Sequence, residues 1–542
     1  MIIRTKKSPR LLGLDEPIRH ENHKLPVTRR DFIAQGMRTG PAILAAPAGL
    51  ALLLQAQKAG ALSPDLEALL AADTTPGGLC NVQAGAGKVP FICFDLAGGA
   101  NLNGSEILIG ANGVPTNFLS TAGYAKLGLP GNMTPGSANP ANTVSNNFVN
   151  MEFGAAWHSD GAILRGMQAS TQVATRANVQ GFPIAARSEN DTGNNPHNPM
   201  YGINKVGARG QLLTLIGSQN TDSGGNSMAP ASMMNPAARP TKVDRASDVT
   251  GLVDTGELGT LFNDPNDAIA VLESMTRLSH AKAEMAQVKL KTDDDDKELR
   301  KLVKCGYLKS TYLADRFRSP AALNPDLDPL IKGPAGIFTD AEYDGDGEFR
   351  KAAAIMKMVI NGYAGAGTIT MGGFDYHGQG RNTAETRNFR AGRCIGACLE
   401  YAARMGKPLM IYVFSDGALS ANGVVNNTAL GRGKLDWASD NQATAATFVL
   451  VYKPGGRPAM RSDARKQIGS YSMGGDVLTA SAAPANAVNL LVETVILNYM
   501  ALHGEEGNFP TLFPSHGLGG TEVRDGLTMI EPVCSGTITT PV

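Results

Sequence analysis

The sequence is short of charge, of aromatic residues and of long apolar runs, and these shortages exclude several classes of protein. Charged residues make up 18% and aromatic residues 6% of the 542 positions, and 49 Lys and Arg balance 49 Asp and Glu. A chain without net charge has no overall field to hold a polyanion, so the composition does not support nucleic-acid binding. The sequence also has no phosphate-binding loop and no G-x-S-x-G turn, which argues against kinases, P-loop enzymes and serine esterases.

The sequence does contain enough apolar side chains for a large core. Hydrophobic residues make up 42% of the chain, which is typical of a folded protein. Two polar stretches, Ala111 to Asn147 and Gln219 to Thr250, are rich in Asn, Pro, Gly and Ser. Loops of this length commonly form lids or binding surfaces. We therefore expect a folded body with long surface loops.

The first 61 residues have the pattern of an export signal. Basic residues precede a mild apolar run from Gly40 to Leu54, and Ala59-Gly60-Ala61 suits cleavage after Ala61, with Ala56 and Ala71 as alternative positions. The junction, Thr28-Arg29-Arg30-Asp31-Phe32-Ile33, resembles the twin-arginine export motif. The alternative is an amphipathic surface helix, which Pro41 and Pro47 would interrupt.

Such a signal implies a bacterial protein that the twin-arginine machinery exports already folded, to the periplasm or the extracellular space. The apolar run is shorter than the roughly 20 residues of a membrane-spanning helix, so we expect no stable transmembrane helix in the mature chain. The destination is oxidising, and six cysteines could form up to three disulfides there. The sequence does not select among the fifteen complete pairings.

The mature chain alternates between short apolar runs and helical patterns. Strand, helix and strand in alternation predict an α/β fold with a mostly parallel central sheet and helices on both faces. The predicted strands are Val89 to Leu96, Ala162 to Gly166, Leu212 to Ile216, Thr368 to Met371, Leu409 to Phe414 and Thr447 to Tyr452. The predicted helices between and after the later strands are Phe349 to Tyr363, Thr383 to Met405 and Ala485 to His503.

The middle of the chain has a different pattern. Ala268 to Leu290 and Lys297 to Phe317 are predicted to be two longer amphipathic helices, separated by Thr292 and four aspartates. The acidic run suits the positive end of the second helix. We therefore predict a signal peptide at 1–61 and a single α/β domain at 62–542, with a helical hairpin inserted at about 262–320.

Acidic residues and one histidine are associated with three of the later strands. Asp375 and His377 follow one predicted strand, Asp416 follows the next, and Asp440 precedes a third. Open α/β sheets bind ligands at the carboxyl ends of their strands. Carboxylate oxygen and imidazole nitrogen together suit zinc, manganese or iron. The pattern predicts one metal site from these four side chains, although each could instead cap a loop.

These segments resemble an exported bacterial family, domain of unknown function family 1501, of the alkaline-phosphatase-like and sulfatase-like superfamily. The resemblance rests on Gly372-Gly373-Phe374-Asp375-Tyr376-His377, on Ser415-Asp416-Gly417, on Ser439-Asp440-Asn441 and, near the start, on Gly98-Gly99-Ala100-Asn101. It implies an alkaline-phosphatase-like sandwich. It also implies hydrolysis of phosphate or sulfate esters, in which paired metals activate a Ser or Thr nucleophile.

The sequence departs from the family pattern at two ligand positions. Asn101 stands where the family has an acidic residue, and Asn441 stands where it has a histidine. Neutral amides hold a divalent ion more weakly than carboxylates do. Two hypotheses follow. The chain is a hydrolase of a small anionic ester with a reduced metal site, or it is a non-catalytic secreted protein that binds or assembles with a protein partner.

A further block carries the candidate catalytic residues. Arg187-Ser188-Glu189-Asn190 resembles the R-S-H-F block of the same family, with Glu189 at the histidine position. Arg187 is expected to clamp an anionic oxygen, and Ser188 or Thr192 to supply a hydroxyl nucleophile. The alternative is a polar loop that only caps helices.

Calcium is the less favoured metal. Asp340 to Lys351 has acidic residues at several ligand positions of an EF-hand-like loop. Position 12 is Lys351, where a calcium loop needs a bidentate Glu, so two oxygen ligands are lost and a positive charge is added.

Overall fold

The computed structural model describes residues 62–71, 87–137, 147–189, 195–253, 264–285, 292–317, 320–378 and 380–542. The predicted signal peptide, Cys80 and Thr192 lie outside the described residues. The chain divides into two compact units. One comprises Met1–Ala72 and Thr260–Asp315, and the other comprises Asp73–Gly259 and Arg316–Val542.

The smaller unit is helical in its described part. Its helices are α1 (Pro64–Ala71), α7 (Pro265–Met285) and α8 (Asp293–Arg316), numbered in chain order with those of the larger unit. The four aspartates form the first turn of α8, as the positive end of a helix favours. A hydrogen bond of 2.7 Å between Thr276 and Thr311 joins α7 to α8, and Arg277 on α7 holds the Asp65 carboxylate of α1 at 2.8 Å.

The larger unit is built on a seven-stranded sheet. The described strands of this unit are β1 (Phe91–Leu96), β2 (Val149–Asn150), β3 (Trp157–His158), β4 (Val179–Ala185), β5 (Leu213–Gly217), β6 (Thr241–Lys242), β7 (Ala364–Met371), β8 (Leu409–Phe414), β9 (Leu419–Val425), β10 (Leu435–Asp440), β11 (Ala446–Tyr452), β12 (Cys534–Ser535) and β13 (Thr537–Pro541). The order in the sheet is β4-β11-β8-β1-β7-β5-β6, and β9 and β10 form a separate hairpin. All neighbours pair in parallel except β11, which is antiparallel to both β4 and β8.

Helices cover both faces of this sheet. The described helices of the larger unit are α2 (Thr121–Lys126), α3 (Ala162–Ser170), α4 (Val173–Ala177), α5 (Met200–Lys205), α6 (Ala246–Gly251), α9 (Asp340–Gly345), α10 (Gly347–Ile360), α11 (Arg381–Arg404), α12 (Ala483–Asn486), α13 (Val488–Ala501), α14 (Phe509–Leu512) and α15 (Thr521–Leu527). On one face Phe91 and Cys93 share a core with Val492 and Ile496 of α13. On the other face α10 packs against β7 at Gly367.

The predicted fold class is confirmed. The central strands β1, β7, β8 and β11 are buried along their whole length, as strands covered by helices on both faces must be. The predicted strand from Ala162 to Gly166 is wrong, because this run begins helix α3. Its buried residues include Ile163, Leu164 and Met167, a spacing that fits a helix, and the five predicted residues were too few to show that period.

The structure also bears on the predictions about a transmembrane helix and about the EF-hand-like segment. No helix in the described part of the chain is long and apolar enough to cross a membrane. The EF-hand-like segment is not a loop: it forms α9 and the start of α10, and Thr339 closes a capping box with Glu342. Lys351 contacts Glu348 at 2.9 Å.

Candidate metal centre

The predicted metal ligands lie at one edge of the sheet. The parallel strands β1, β7 and β8 end at this edge, before Gly98, Asp375 and Asp416 respectively. Because β11 runs in the opposite direction, its first residues lie at the same edge, and Asp440 precedes them by a few positions. Four separate segments of chain therefore meet where α/β sheets commonly bind ligands.

The loop after β7 is anchored by every second residue. Phe374 and Tyr376 are fully buried, while Asp375 and His377 are exposed. The Phe374 backbone N–H donates to the Ala97 carbonyl at 3.0 Å, and the Tyr376 hydroxyl accepts a hydrogen bond from the Asn101 N–H at 3.1 Å. The two aromatic residues therefore fix the loop and leave the two candidate ligands facing solvent.

Asp375, His377 and Asp440 form a close group, which we call the ligand triad. Nδ1 of His377 is within hydrogen-bonding distance of Oδ1 of Asp375 and lies 3.5 Å from Oδ1 of Asp440. One ligand atom from each residue lies within 4.8 Å of the others. The side chains are 55%, 46% and 53% exposed respectively, so a bound ion would remain open to solvent and to a ligand.

The donor set of the ligand triad fits a divalent transition metal. It offers two carboxylates and one imidazole, a combination suited to zinc, manganese or iron. Three protein ligands with open solvent on one side leave further coordination positions, as catalytic metal sites do and structural sites do not. The sequence prediction of a metal-ligand cluster is therefore supported for three of its four residues, and the identity of the metal is not fixed by the geometry.

Gly98 ties the loop after β1 to the ligand triad. Its φ of +124° is disfavoured for any residue with a side chain, and a Cβ atom there would lie 2.5 Å from the backbone nitrogen of Asp375. The Gly98 N–H donates to Oδ1 of Asp416 at 2.7 Å. This glycine thus lets three loops approach one another closely.

Asp416 lies beside the ligand triad but outside it. Its residue is 3% exposed, and besides Gly98 its carboxylate accepts from Nδ2 of Asn226 at 3.4 Å. The carboxylate is therefore used to hold the turn after β1. The sequence analysis predicted correctly that Asp416 lies at this edge. The direction of its side chain could not be predicted, because it depends on contacts with residues far away in the chain.

Asp95 is a buried acidic residue that the sequence interpretation did not single out. It is fully buried near the end of β1, and its carboxylate accepts hydrogen bonds from the N–H groups of Asn226 and Ser227 at 2.7 and 2.8 Å. Burial, with a smaller contribution from the nearby Asp416, raises its pKa to about 6. In the sequence, the feature that marks this residue is its position as the one charged residue inside the apolar run Phe91–Leu96.

Arg187 and Ser188 lie at the end of β4 and are already engaged. Arg187 pairs with Glu189 at 2.9 Å and donates from Nε to the Asn486 carbonyl at 2.9 Å. Ser188 is fully buried, and its hydroxyl donates to the Asp416 carbonyl at 2.8 Å and accepts from Nδ2 of Asn195 at 2.8 Å. Their predicted catalytic roles, with that of Thr192, remain predictions.

The side chains of Asn101 and Asn441 both hydrogen-bond to the backbone. Asn101 donates from Nδ2 to the Leu419 carbonyl at 2.7 Å and accepts from the Asn103 N–H at 3.0 Å. Asn441 accepts from the Ala443 N–H at 3.1 Å and so caps a short helical turn. Both side chains act as loop supports, which leaves the ligand triad as the cluster with metal-ligand geometry among the described residues.

The comparisons with known proteins add no relative to this description. No protein-family model matches the chain, and no curated protein matches it. The resemblance to domain of unknown function family 1501 therefore remains a prediction from the sequence motifs of this chain.

Proposed function

We propose that the chain is a metal-dependent hydrolase of phosphate or sulfate esters. The observation that carries the proposal is the convergence of Asp375, His377 and Asp440 at the carboxyl edge of the sheet, within 4.8 Å of one another and exposed. When bound there, a divalent cation would supply Lewis-acid activation of water and of an ester oxygen. The two carboxylates would hold the cation and neutralise its charge, and His377 would add a nitrogen ligand.

The surroundings favour water over a side-chain hydroxyl as the nucleophile. The Ser188 hydroxyl is buried, donates to the Asp416 carbonyl and accepts from Asn195. To attack an ester it would have to leave both partners and reach solvent. The proposal therefore assigns Ser188 a structural role beneath the site and leaves the open side of the ligand triad to water and substrate.

A second candidate is a secreted protein that binds a metal or a protein partner without catalysis. The observation that favours it is the use of Asn101 and Asn441 for backbone hydrogen bonds, since a second metal ion would have lost ligands at both positions. A single ion activates water less effectively than a pair that stabilises both the attacking and the leaving oxygens. The two candidates differ in hydrolysis, and only the hydrolase requires a bound metal.

The test combines metal titration with hydrolysis. Protein stripped with EDTA is titrated with Mn²⁺ and Zn²⁺ by calorimetry, and hydrolysis of an aryl phosphate and an aryl sulfate is measured with each metal. We expect one metal per chain and metal-dependent hydrolysis. The variants Asp375→Asn, His377→Ala and Asp440→Asn should each lose both properties, because each removes one of three ligands.

His516→Ala is the matched control. His516 is also partly exposed, but it accepts a hydrogen bond from the Leu518 N–H and packs on Phe509, which belongs to the core between the sheet and α13. This variant should bind metal and hydrolyse esters as the parent does. Metal binding without hydrolysis would support the non-catalytic candidate, and absence of metal from the parent protein would refute the hydrolase and leave only the binding of a protein partner.

We also propose export by the twin-arginine pathway, on the basis of the sequence at 1–61. The test is replacement of Arg29 and Arg30 by Lys in a bacterial host with an intact twin-arginine system. The parent chain should accumulate outside the cytoplasm and the double variant should not. Equal accumulation of both chains would remove the proposal without affecting the metal site.

A further inference from the structure

Arg387 contacts Gly373, two residues before Asp375 of the ligand triad, and has no charge partner among the described residues. It lies on α11, which begins four residues after His377. The other four arginines of this helix each pair with a carboxylate, namely Arg381 with Glu385, Arg390 with Asp346, Arg393 with Glu342 and Arg404 with Glu400. Within the described residues, Arg387 has neither an ion pair nor a hydrogen bond from its side chain.

The Arg387 guanidinium packs against Gly373, just before the ligand triad. A Cβ atom on Gly373 would lie 2.4 Å from Nη1, 2.6 Å from Cζ and 2.9 Å from Nη2 of Arg387. Gly373 has a φ of +82°, and both Gly372 and Gly373 are exposed. The absence of a side chain at Gly373 therefore gives the guanidinium room, two residues before Asp375.

This arrangement places an uncompensated positive charge next to the proposed cation site. A partly buried guanidinium loses hydration, and proteins usually offset that loss with a carboxylate or with a bound anion. Because no carboxylate in the described part of the chain fills this role for Arg387, we take its partner to be an anion from solvent. An anion that contacts both the guanidinium and a cation held by the ligand triad would be attracted by two positive charges.

We propose that Arg387 binds an anionic oxygen of the ligand at the ligand triad. The inference rests on the proposed function and deepens it, since it names the group that recognises the ester. The planar fork of a guanidinium matches two oxygens of a tetrahedral oxyanion, so phosphate and sulfate groups share the required chemistry. Arg187, the clamp expected from the sequence, is held by Glu189 and Asn486 and would have to exchange both for a ligand.

The test measures anion binding separately from metal binding. Inorganic phosphate and inorganic sulfate are titrated into the full-length mature chain, once loaded with Mn²⁺ and once stripped with EDTA, and the bound metal is counted in each sample. Arg387→Gln removes the charge, Arg387→Lys keeps the charge without the fork, and Arg390→Gln is the control one turn along α11. Melting curves confirm that each variant is folded.

We expect Arg387→Gln to weaken oxyanion binding by at least about tenfold, which corresponds to the loss of one charge-assisted contact, with unchanged metal content. Arg387→Lys should fall between the parent and Arg387→Gln, and Arg390→Gln should bind within about twofold of the parent. The comparison of phosphate with sulfate identifies the preferred ester class.

The outcomes separate the two proposals. Equal anion binding by the metal-loaded parent and Arg387→Gln would overturn the role of Arg387 and leave the metal-dependent hydrolase standing. Arg387-dependent anion binding in a chain that takes up no metal would support Arg387 and overturn the hydrolase. Absence of both metal and oxyanion binding would overturn both.

Discussion

The buried histidines should make the larger unit lose stability in mild acid, and His503 offers the clearest test. His503 follows α13 and is 2% exposed. Its Nδ1 donates to the Tyr499 carbonyl at 2.9 Å, and its Nε2 accepts from the Val89 N–H at 3.0 Å. A proton on Nε2 would oppose that N–H, and burial is the largest reason why the pKa of His503 is lowered from 6.5 to about 4.

The sign and size of the effect follow from these two pKa values. Below pH 6.5 the unfolded chain takes up a proton at His503 that the folded chain does not accept until about pH 4. The contribution to stability is therefore fully present above pH 6.5 and is lost as the pH falls towards 4. At pH 5 the loss is about 2 kcal/mol, from 1.5 pH units at roughly 1.4 kcal/mol each.

The assay is urea denaturation of the parent and His503→Gln at pH 7 and pH 5. Gln can donate and accept hydrogen bonds but does not titrate, so its contribution to stability should not change between the two pH values. The variant should be less stable than the parent at pH 7, because the packing around residue 503 is altered. The difference between the two proteins should shrink by about 2 kcal/mol at pH 5. A difference that stays constant between the two pH values would refute the assignment of a neutral buried His503.

Two further predictions concern buried charges of the larger unit. Burial raises the pKa of Asp95 from 3.8 to about 6, so this residue destabilises the fold increasingly as the pH rises through this range. In urea denaturation, the free energy of unfolding of Asp95→Asn should therefore rise by about 1 kcal/mol relative to that of the parent between pH 5 and pH 7. Lys434 is fully buried, and its Nζ lies 2.8 Å from the Glu385 carboxylate. Because Lys434→Met leaves that buried carboxylate without this partner, it should lower the free energy of unfolding by about 3 to 5 kcal/mol in the same assay. Arg432→Met, which removes a 41% exposed partner of Asp160, should cost less than about 1 kcal/mol, and equal losses for Lys434 and Arg432 would contradict the role of burial.

The fold class was predictable because local patterns determine it. The run Leu409 to Phe414 was predicted with the bounds that β8 has in the structure, since an apolar segment of this length between polar residues favours a buried strand. The order β4-β11-β8-β1-β7-β5-β6 was not predicted, because it depends on pairings between strands that are hundreds of residues apart. The reversal of β11 likewise has no local signal.

The site was predictable to the extent that strand ends determine it. Asp375, His377 and Asp440 converge because their segments end or begin at one edge of the sheet. The inward direction of Asp416 depends on Gly98, more than 300 residues earlier. Arg387 had no signal in the sequence, because its missing partner and its contact with Gly373 are properties of the packed structure.

The most direct test of the central claim is a crystal structure of the mature chain soaked with Mn²⁺, with anomalous diffraction recorded to locate the metal. We predict one strong anomalous peak at about 2.0 to 2.3 Å from His377 and from a carboxylate oxygen of both Asp375 and Asp440. A fully ordered ligand triad with no anomalous peak between its three side chains would contradict the claim that this edge of the sheet is a metal site.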